Sequence, residues 1–136
     1  MSLIAPNKFS DPFITADGST RASVALKQLQ TLWFNTGTLC NLACTNCYIE
    51  STPSNDRLEY IRLSEVQQYL DEIQRDNIAT DEIGLTGGEP FMNPDIIPIM
   101  GAILQRGFRL LVLTNAMRPI AKLADALLRL QERYPE

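Results

Sequence analysis

Cys40-Asn41-Leu42-Ala43-Cys44-Thr45-Asn46-Cys47 contains all three cysteines of the chain in one short stretch. Thiolates are soft ligands suited to iron–sulfur chemistry, and three of them on one loop can hold three corners of an iron–sulfur cube. The fourth iron then has no protein ligand and is open to a substrate. The spacing therefore predicts an iron–sulfur site with Cys40, Cys44 and Cys47 as its ligands.

Two other interpretations of these cysteines are a structural zinc site and a redox-active dithiol formed by Cys44 and Cys47. A closed zinc site needs four ligands, and the chain has neither a fourth cysteine nor a histidine. A dithiol leaves Cys40 unexplained. A non-catalytic metal-binding or interaction module that uses the same three cysteines stays open as the alternative function.

The composition is that of an ordinary globular domain. The chain has 136 residues, 45% of them hydrophobic, which is enough for one buried core. Its 12 basic and 16 acidic residues give a net charge of −4 with no basic cluster, so we expect no nucleic-acid and no membrane partner. No apolar run reaches the roughly 18 residues of a membrane-spanning helix, and residues 1–13 lack the continuous apolar core of a signal peptide, so we expect a cytoplasmic location. Thiols stay reduced in the cytoplasm, and three cysteines leave one over from any disulfide pairing, which points to a metal or redox site.

Three segments outside the cysteine loop have the composition of β-strands, and the third contains the nearly continuous apolar run Leu110–Leu113. Such a run is typical of a parallel-sheet strand that is covered on both faces. Within residues 1–30, which we predict to be an N-terminal extension, Asp17–Gly18 resembles the turn of a hairpin. The predicted strands are residues 31–36, 80–86 and 108–113.

Three helical patterns alternate with these strands. Ser64 and Gln67 predict a capping box at the start of the first helix, and Asn77 is expected to end it. Gly107 is a natural cap for the second helix. The expected limits are Ser64 to Asn77, Asn93–Asp95 to Gly107, and Pro119 almost to Tyr134.

The strand–helix alternation predicts an α/β fold built from parallel (β/α) units with right-handed crossovers. Ligands of such sheets bind beyond the carboxyl ends of the strands. The cysteine loop follows the first strand, Gly87-Gly88-Glu89-Pro90 follows the second, and Thr114–Asn115 follows the third. We therefore expect these three segments to meet at one edge of the sheet.

The stretch CNLACTNCY at residues 40–48, with Gly87-Gly88-Glu89-Pro90 forty residues after Cys47, resembles the opening of the radical S-adenosylmethionine (radical SAM) family. The resemblance implies a partial TIM-like barrel, in which residues 31–136 form the first three of six (β/α) units, the N-terminal half of the core domain. In that family, the open iron of a 4Fe-4S cluster binds the methionine part of S-adenosylmethionine (SAM). One electron then cleaves SAM to a 5'-deoxyadenosyl radical, which takes hydrogen from a substrate. The resemblance thus implies an oxidoreductase-type enzyme that depends on a 4Fe-4S cluster and SAM.

The same resemblance implies that Gly87, Gly88 and Glu89 meet the amine of SAM. Glycine has no side chain to keep a ligand from backbone carbonyls, and a nearby carboxylate favours an ammonium group. A plain Gly-Gly turn with a solvated glutamate is the alternative interpretation of these residues. No residue is predicted to be catalytic in its own right.

Asn46 and Asn115 are two further candidate cofactor contacts. Asn46 stands just before the third cysteine, where the family usually has an aromatic residue that packs on the adenine. Asparagine can hydrogen-bond to a base edge but offers no stacking face. Tyr48 is predicted to belong to the core rather than to contact adenine. Asn115 resembles the family's Thr-Asn element near the cofactor, with a turn-capping role as the alternative.

The partners implied by the resemblance are an electron donor and a small-molecule or peptide substrate. The flanks of the cysteines and the GGEP turn look most like the branch that includes peptide-maturing and cofactor-making enzymes.

Three parallel strands of a barrel leave an exposed edge with unpaired backbone groups. We therefore expect this chain to pair that edge with another copy or to cover it with residues 1–30. We also expect it to be inactive on SAM by itself, because three of the six units carry only part of the contact surface for the cofactor.

Overall fold

A computed structural model describes residues 11–135. The sheet consists of three parallel strands, β1 (Thr31–Asn35), β2 (Glu82–Thr86) and β3 (Arg109–Val112), which lie side by side in chain order. In the register, Phe34 lies beside Leu85, which lies beside Val112. The predicted α/β fold of parallel (β/α) units is confirmed.

Helices connect the strands and follow the third one. They are α1 (Leu63–Arg75), α2 (Ile96–Gln105), α3 (Arg118–Ala121) and α4 (Ala124–Arg133), with a short 3-10 helix at Pro90–Met92. The single helix predicted after Pro119 is thus divided in two at Lys122 and Leu123. Within residues 11–135, no helix is both long and apolar enough to cross a membrane.

The start of α1 differs from the predicted capping box. Arg62 takes the N-cap position, and its N–H donates to the carboxylate of Glu65 at 2.8 Å. Ser64 lies inside the first turn, so the prediction that it caps the helix is wrong. The end is as predicted, because Asn77 has a φ of 50°, a left-handed conformation that asparagine adopts more readily than most residues. Gly107 follows α2 in the same way, with a φ of 81°.

The core fills the space between one face of the sheet and the helices α1 and α2, which connect the strands. Val66, Leu70 and Ile73 recur at helical spacing on α1 and are buried. Ile99 and Ile103 are fully buried on α2. Burying an aliphatic side chain of this size stabilises a fold by about 1.5–3 kcal/mol. This layer therefore holds the strands, and the segments at their carboxyl ends, in fixed positions.

One face of β3 is not covered, contrary to the expectation from its apolar run. Leu110 and Val112 pack against the core, but Leu111 is 39% exposed and Leu113, just after the strand, is 51% exposed. Trp33 of β1, which the register places on the same face as Leu111, is also exposed. The alternation indicates that helices cover only the other face of the sheet.

The segment before β1 contains a short turn and then runs irregularly to the sheet. One antiparallel bridge joins Ile14 and Thr20, so the predicted hairpin is reduced to a single bridge. Further along, the carbonyl of Leu29 accepts a hydrogen bond from Thr80 Oγ1 at 2.7 Å, which places the end of the segment beside the start of β2. Residues 1–10 of the predicted extension lie outside the described residues.

The open edge of β3 leads to a prediction about assembly. Within residues 11–135, β3 pairs only with β2, and no main-chain hydrogen bond joins the segment before β1 to β3. We expect the chain to self-associate through this edge, because unpaired strand groups beside an exposed apolar face are a template for pairing. Light scattering at increasing concentration should show dimers or larger species, and Leu111→Lys should shift them toward the monomer. A monomer at every concentration would contradict this expectation.

Candidate functional site

The cysteine loop begins directly after β1 and is closed at its base by main-chain contacts. Leu39 and Thr52 form a parallel bridge, and the N–H of Cys40 donates to the carbonyl of Thr52 at 3.1 Å. All three thiols are free, with Cys40 buried, Cys44 exposed and Cys47 half-buried. The motif therefore forms a closed loop at the carboxyl end of β1.

Two of the thiols accept hydrogen bonds from backbone N–H groups. Leu42 donates to Cys40 Sγ at 3.4 Å, and Ser51 donates to Cys47 Sγ at 3.3 Å. The N–H of Ser51 and, to a lesser extent, that of Ile49 lower the pKa of the Cys47 thiol below its ordinary value. A lowered pKa favours the thiolate, which is the form that binds metals.

The Gly87–Gly88 turn at the end of β2 packs directly against the start of the cysteine loop. The N–H of Gly88 donates to the carbonyl of Gly37 at 2.8 Å, and that of Glu89 donates to the carbonyl of Leu39 at 3.1 Å. A Cβ atom on Gly88 would lie 2.1 Å from the Leu39 carbonyl oxygen, and one on Gly87 would lie 2.7 Å from that of Gly37. Close approach between two backbone segments of the protein itself therefore requires both glycines.

Gly87 and Gly88 are half-buried residues, and within the described part of the chain no hydrogen bond reaches the carbonyl oxygen of either one. Carbonyl groups removed from water normally find a donor. These two are therefore suited to accept hydrogen bonds from an amine group of a ligand.

Glu89 connects the ends of β2 and β3. It is 1% exposed, and its carboxylate accepts hydrogen bonds from three donors of the protein. These are the N–H of Phe91 at 3.0 Å, the hydroxyl of Thr114 at 2.8 and 2.9 Å to the two oxygens, and the N–H of Asn115 at 2.9 Å. The alternative of a solvated glutamate is therefore wrong. The four contacts fall two on each oxygen, so donors of the protein approach all of the roughly four lone-pair sites of the carboxylate.

The other predicted contacts lie in or beside the cysteine loop. Asn115 Nδ2 donates to Asn41 Oδ1 at 3.0 Å and lies 3.8 Å from Cys40 Sγ. Asn46 is an exposed residue of the same loop. Tyr48 is 77% exposed, so the prediction that it belongs to the core is wrong. The structure thus brings Asn115 to the buried cysteine and leaves Asn46 accessible.

The three thiols do not surround a common point. Within residues 11–135, no three or more Cys, Asp or Glu side chains are grouped closely enough to hold a metal ion. Cysteine side chains on a loop can rotate, whereas the backbone that carries them is fixed at the base by the Leu39–Thr52 bridge. The ligand role of the three cysteines stays a prediction from the sequence.

The size of a cavity does not identify the candidate site at the cysteine loop. A cavity of about 730 Å³ lies at the amino ends of the strands beside Asp81 and Arg109 and contains none of the predicted site residues. A cavity of about 350 Å³ adjoins the cysteine loop at Asn41 and is lined by Phe91 and Leu123 among others. Because ligands of parallel sheets bind at the carboxyl ends of the strands, the smaller cavity is the one next to the predicted chemistry.

The sequence of this chain matches the model of a known protein family. Residues 34–134 match the Radical SAM superfamily. The chain belongs to this superfamily. The match runs from β1 into the residue after α4, and so includes the cysteine loop, the Gly-Gly turn and Thr114–Asn115. Members of the family use a 4Fe-4S cluster and SAM.

Two relatives with assigned activities match only part of their own length. The antilisterial bacteriocin subtilosin biosynthesis protein AlbA of Bacillus subtilis (strain 168) is 30% identical over 109 residues, which are 80% of this chain and 22% of AlbA. An S-adenosylmethionine-dependent nucleotide dehydratase of Selenomonas ruminantium is 29% identical over 76 residues, 56% of this chain and 26% of that enzyme. The chain thus spans about a quarter of the length of either relative.

Crystal structures of Streptococcus suis SuiB share the fold. SuiB bound to S-adenosylmethionine superposes with a TM-score of 0.58 at 18% identity, covering 74% of this chain and 22% of SuiB. SuiB bound to precursor peptide SuiA gives a TM-score of 0.57 at 18% identity, covering 74% and 21%. At this level of identity the likeness is one of fold, and it confirms the predicted partial (β/α) architecture.

The residues of this chain fit the cluster that the family uses. Three free thiols supply soft donors, and backbone N–H groups already donate to the sulfurs of Cys40 and Cys47. Hydrogen bonds to the sulfurs are among the features that tune iron–sulfur clusters. The buried side chain of Ser51 also lies beside Cys47 and contributes to lowering the pKa of that thiol.

Asn41 and Asn93 take part in the site without having been predicted. Asn41 accepts the hydrogen bond from Asn115, and the buried Asn93 donates to the carbonyls of Thr36 at 3.2 Å and Ile61 at 2.9 Å. Asn93 thereby connects the segment after the Gly-Gly turn to the end of β1. The position of Asn41 between two motif cysteines could have identified it as a site residue from the sequence. Nothing in the local sequence identified Asn93, because its partners lie 57 and 32 residues away in the chain.

Proposed function

We propose that this chain forms the cluster-binding part of a radical SAM enzyme, with Cys40, Cys44 and Cys47 as the ligands of a 4Fe-4S cluster. The observation that carries the proposal is the pair of main-chain hydrogen bonds, 2.8 and 3.1 Å long, between the Gly-Gly turn and the start of the cysteine loop. They keep the expected SAM contacts and the thiols at the same edge of the sheet. Three free thiols also suit the cytoplasm, where thiols stay reduced.

SAM would bind beside the cluster, with its amine at the carbonyl groups of Gly87 and Gly88. Those carbonyls have no donor among the described residues, and an ammonium group supplies three N–H donors. The carboxylate of Glu89 lies at the same turn, and its negative charge favours the ammonium. Asn46 and Asn115 are the further proposed contacts, with Asn46 at the edge of the adenine.

The chemistry proposed for this site is that of the family. Held by Cys40, Cys44 and Cys47, the cluster would supply the one-electron reduction of SAM from which hydrogen abstraction from the substrate starts. The contribution of this chain is positional. The hydrogen bonds of Gly88 and Glu89 to the start of the cysteine loop fix the amine site relative to the thiols. An external electron donor completes the system.

We propose a peptide as the substrate class. SuiB has been crystallised with precursor peptide SuiA, and AlbA acts in the biosynthesis of the bacteriocin subtilosin. These two similar proteins favour a peptide over a nucleotide, on which the Selenomonas ruminantium relative acts. We also propose that SAM cleavage needs contacts beyond the three (β/α) units described, so this chain alone should release no 5'-deoxyadenosine.

Anaerobic reconstitution with iron and sulfide tests the cluster assignment. We expect a brown, oxygen-sensitive protein that contains iron and sulfide in equal amounts, about four of each per chain. The sensitivity to oxygen follows from the iron that no thiolate covers. Uptake of zinc without sulfide would contradict the proposal and favour the non-catalytic metal-binding or interaction module instead.

Glu89→Gln should weaken SAM binding about ten- to hundredfold, because it removes the negative charge that favours the ammonium group, a loss of about 1.5–3 kcal/mol if it equals one interaction with a charged group. The iron content should stay the same, since Glu89 is not a proposed iron ligand. Titration of the reduced, reconstituted chain with SAM, followed by the change in its EPR spectrum, measures the affinity. Glu132→Gln, an exposed glutamate of α4, is the matched control and should bind SAM like the unaltered chain. Equal affinities for both variants would show that Glu89 serves the fold alone.

A further inference from the structure

Asn115 is the residue through which the end of β3 reaches the cysteine loop. Its Nδ2 donates to Asn41 Oδ1 at 3.0 Å and lies 3.8 Å from Cys40 Sγ. Cys40 is the buried thiol of the three, with 7% of its surface exposed. In a buried position of low dielectric, a hydrogen bond to a charged sulfur is stronger than at the surface.

The surroundings of Asn115 determine which end of its amide faces the loop. The side-chain oxygen accepts a hydrogen bond from the N–H of Met117 at 3.1 Å, which leaves the Nδ2 end for Asn41 and Cys40. This contact also confirms the turn-capping interpretation of Asn115. The same side chain therefore caps a turn with its oxygen and donates to the loop with its nitrogen.

Glu89 fixes the backbone that carries this amide. Its carboxylate accepts hydrogen bonds from the N–H of Asn115 at 2.9 Å and from the hydroxyl of Thr114. The N–H of Ala116 donates to Thr114 Oγ1 at 3.0 Å, and Ala116 has a φ of 56°. Three consecutive residues are thus held by a buried carboxylate and by each other. Asn115 has little freedom to move away from Cys40.

We propose that Asn115 is a positioning residue that raises the reduction potential of the cluster through its contact with Cys40. The inference rests on the proposed function, since that function makes Cys40 a cluster ligand. Reduction adds negative charge to the cluster and its thiolates, and a hydrogen-bond donor at a ligand sulfur stabilises that charge. The N–H of Leu42 donates to the same sulfur from the backbone. Asn115 is the donor that a substitution can remove.

The test compares reconstituted chains that carry Asn115→Asp and Asn115→Ala. Aspartate keeps an oxygen for the N–H of Met117 and replaces the donor near Cys40 by a negative charge, whereas alanine removes both contacts. Both variants should contain as much iron as the unaltered chain. Each should have a lower midpoint potential in an EPR-monitored redox titration, by about 59 mV for a tenfold weaker preference for the reduced state. The aspartate variant should show the larger shift.

Asn55→Ala is the matched control for this test. Asn55 also binds backbone groups around a turn, the carbonyl of Glu50 and the N–H of Arg57, but donates to no thiol. Its potential should equal that of the unaltered chain. Unchanged potentials in the Asn115 variants at full iron content would overturn the inference and leave the proposed function intact, whereas an unaltered chain that takes up no iron would overturn the proposed function. Because it keeps the turn, the aspartate variant decides the question if the alanine variant does not fold.

Discussion

Alanine in place of Cys40 should abolish the brown colour and the four-iron signal of the reconstituted chain. A cluster with one open iron needs three thiolates, and the chain has no histidine or fourth cysteine to replace a lost ligand. The same loss is expected for Cys44→Ala and Cys47→Ala. Iron and sulfide analysis should fall from about four of each per chain to below about one.

The matched control is Thr45→Ala, because Thr45 is exposed and lies between two of the cysteines. This variant should keep the full cluster. A full four-iron signal in Cys40→Ala would count decisively against the assignment of the ligands. Loss of the signal only in Cys44→Ala and Cys47→Ala would favour a site built on the CxxC pair. Circular dichroism of each variant separates loss of the cluster from loss of the fold.

The order of strands and helices was predictable because it depends on local periodicity, but the start of α1 depends on a distant residue. Ser64 and Gln67 have the spacing of a capping box, yet the helix begins at Leu63. The N–H of Leu63 donates to Asp95 Oδ2 at 2.9 Å, across 32 residues of chain. The side chain of Asp95, at the start of α2, therefore accepts a hydrogen bond from the Leu63 N–H, for which the local sequence pattern predicted no partner.

The environment of β3 was harder to predict than its existence. An apolar run such as Leu110–Leu113 identifies a strand, but it does not say how many faces are covered. Helices cover the face of Leu110 and Val112, while Leu111 and Leu113 remain partly exposed. Coverage depends on which elements pack on the sheet, and that is a property of the tertiary structure.

For the site, the sequence predicted which residues take part but not which side-chain contacts they make. The motif and the strand order predicted that Glu89, Thr114–Asn115 and the cysteine loop would share one edge of the sheet, and they do. That Glu89 would be buried was not predictable, because its donors Thr114 and Asn115 lie 25 and 26 residues away. Local turn chemistry suggested solvent as its partner. The contacts of Asn115 with the loop depend on the same long-range packing.

Alanine at Gly88 should destabilise the fold by about 3 kcal/mol or more. Its Cβ would lie 2.1 Å from the carbonyl oxygen of Leu39 and 2.9 Å from that of Thr38, and backbone atoms cannot rotate away as a flexible side chain can. Relief of the clash requires the turn and the cysteine loop to separate. That movement breaks the hydrogen bonds from Gly88 to Gly37 and from Glu89 to Leu39. Because the loop then loses its support, iron uptake should fall as well.

Gly101→Ala is the matched control for this prediction, because it adds the same methyl group inside α2. There the new Cβ would meet Leu130 Cδ2 at 3.7 Å, an ordinary contact, and alanine is favoured over glycine in a helix by about 0.5–1 kcal/mol. Urea unfolding should show Gly101→Ala at least as stable as the unaltered chain and Gly88→Ala far less stable. If Gly88→Ala had the stability of the unaltered chain, the close packing of the turn on the loop would not exist in solution. The loss in the free energy of unfolding of Gly88→Ala relative to the unaltered chain therefore reports on the contact on which the proposed function rests.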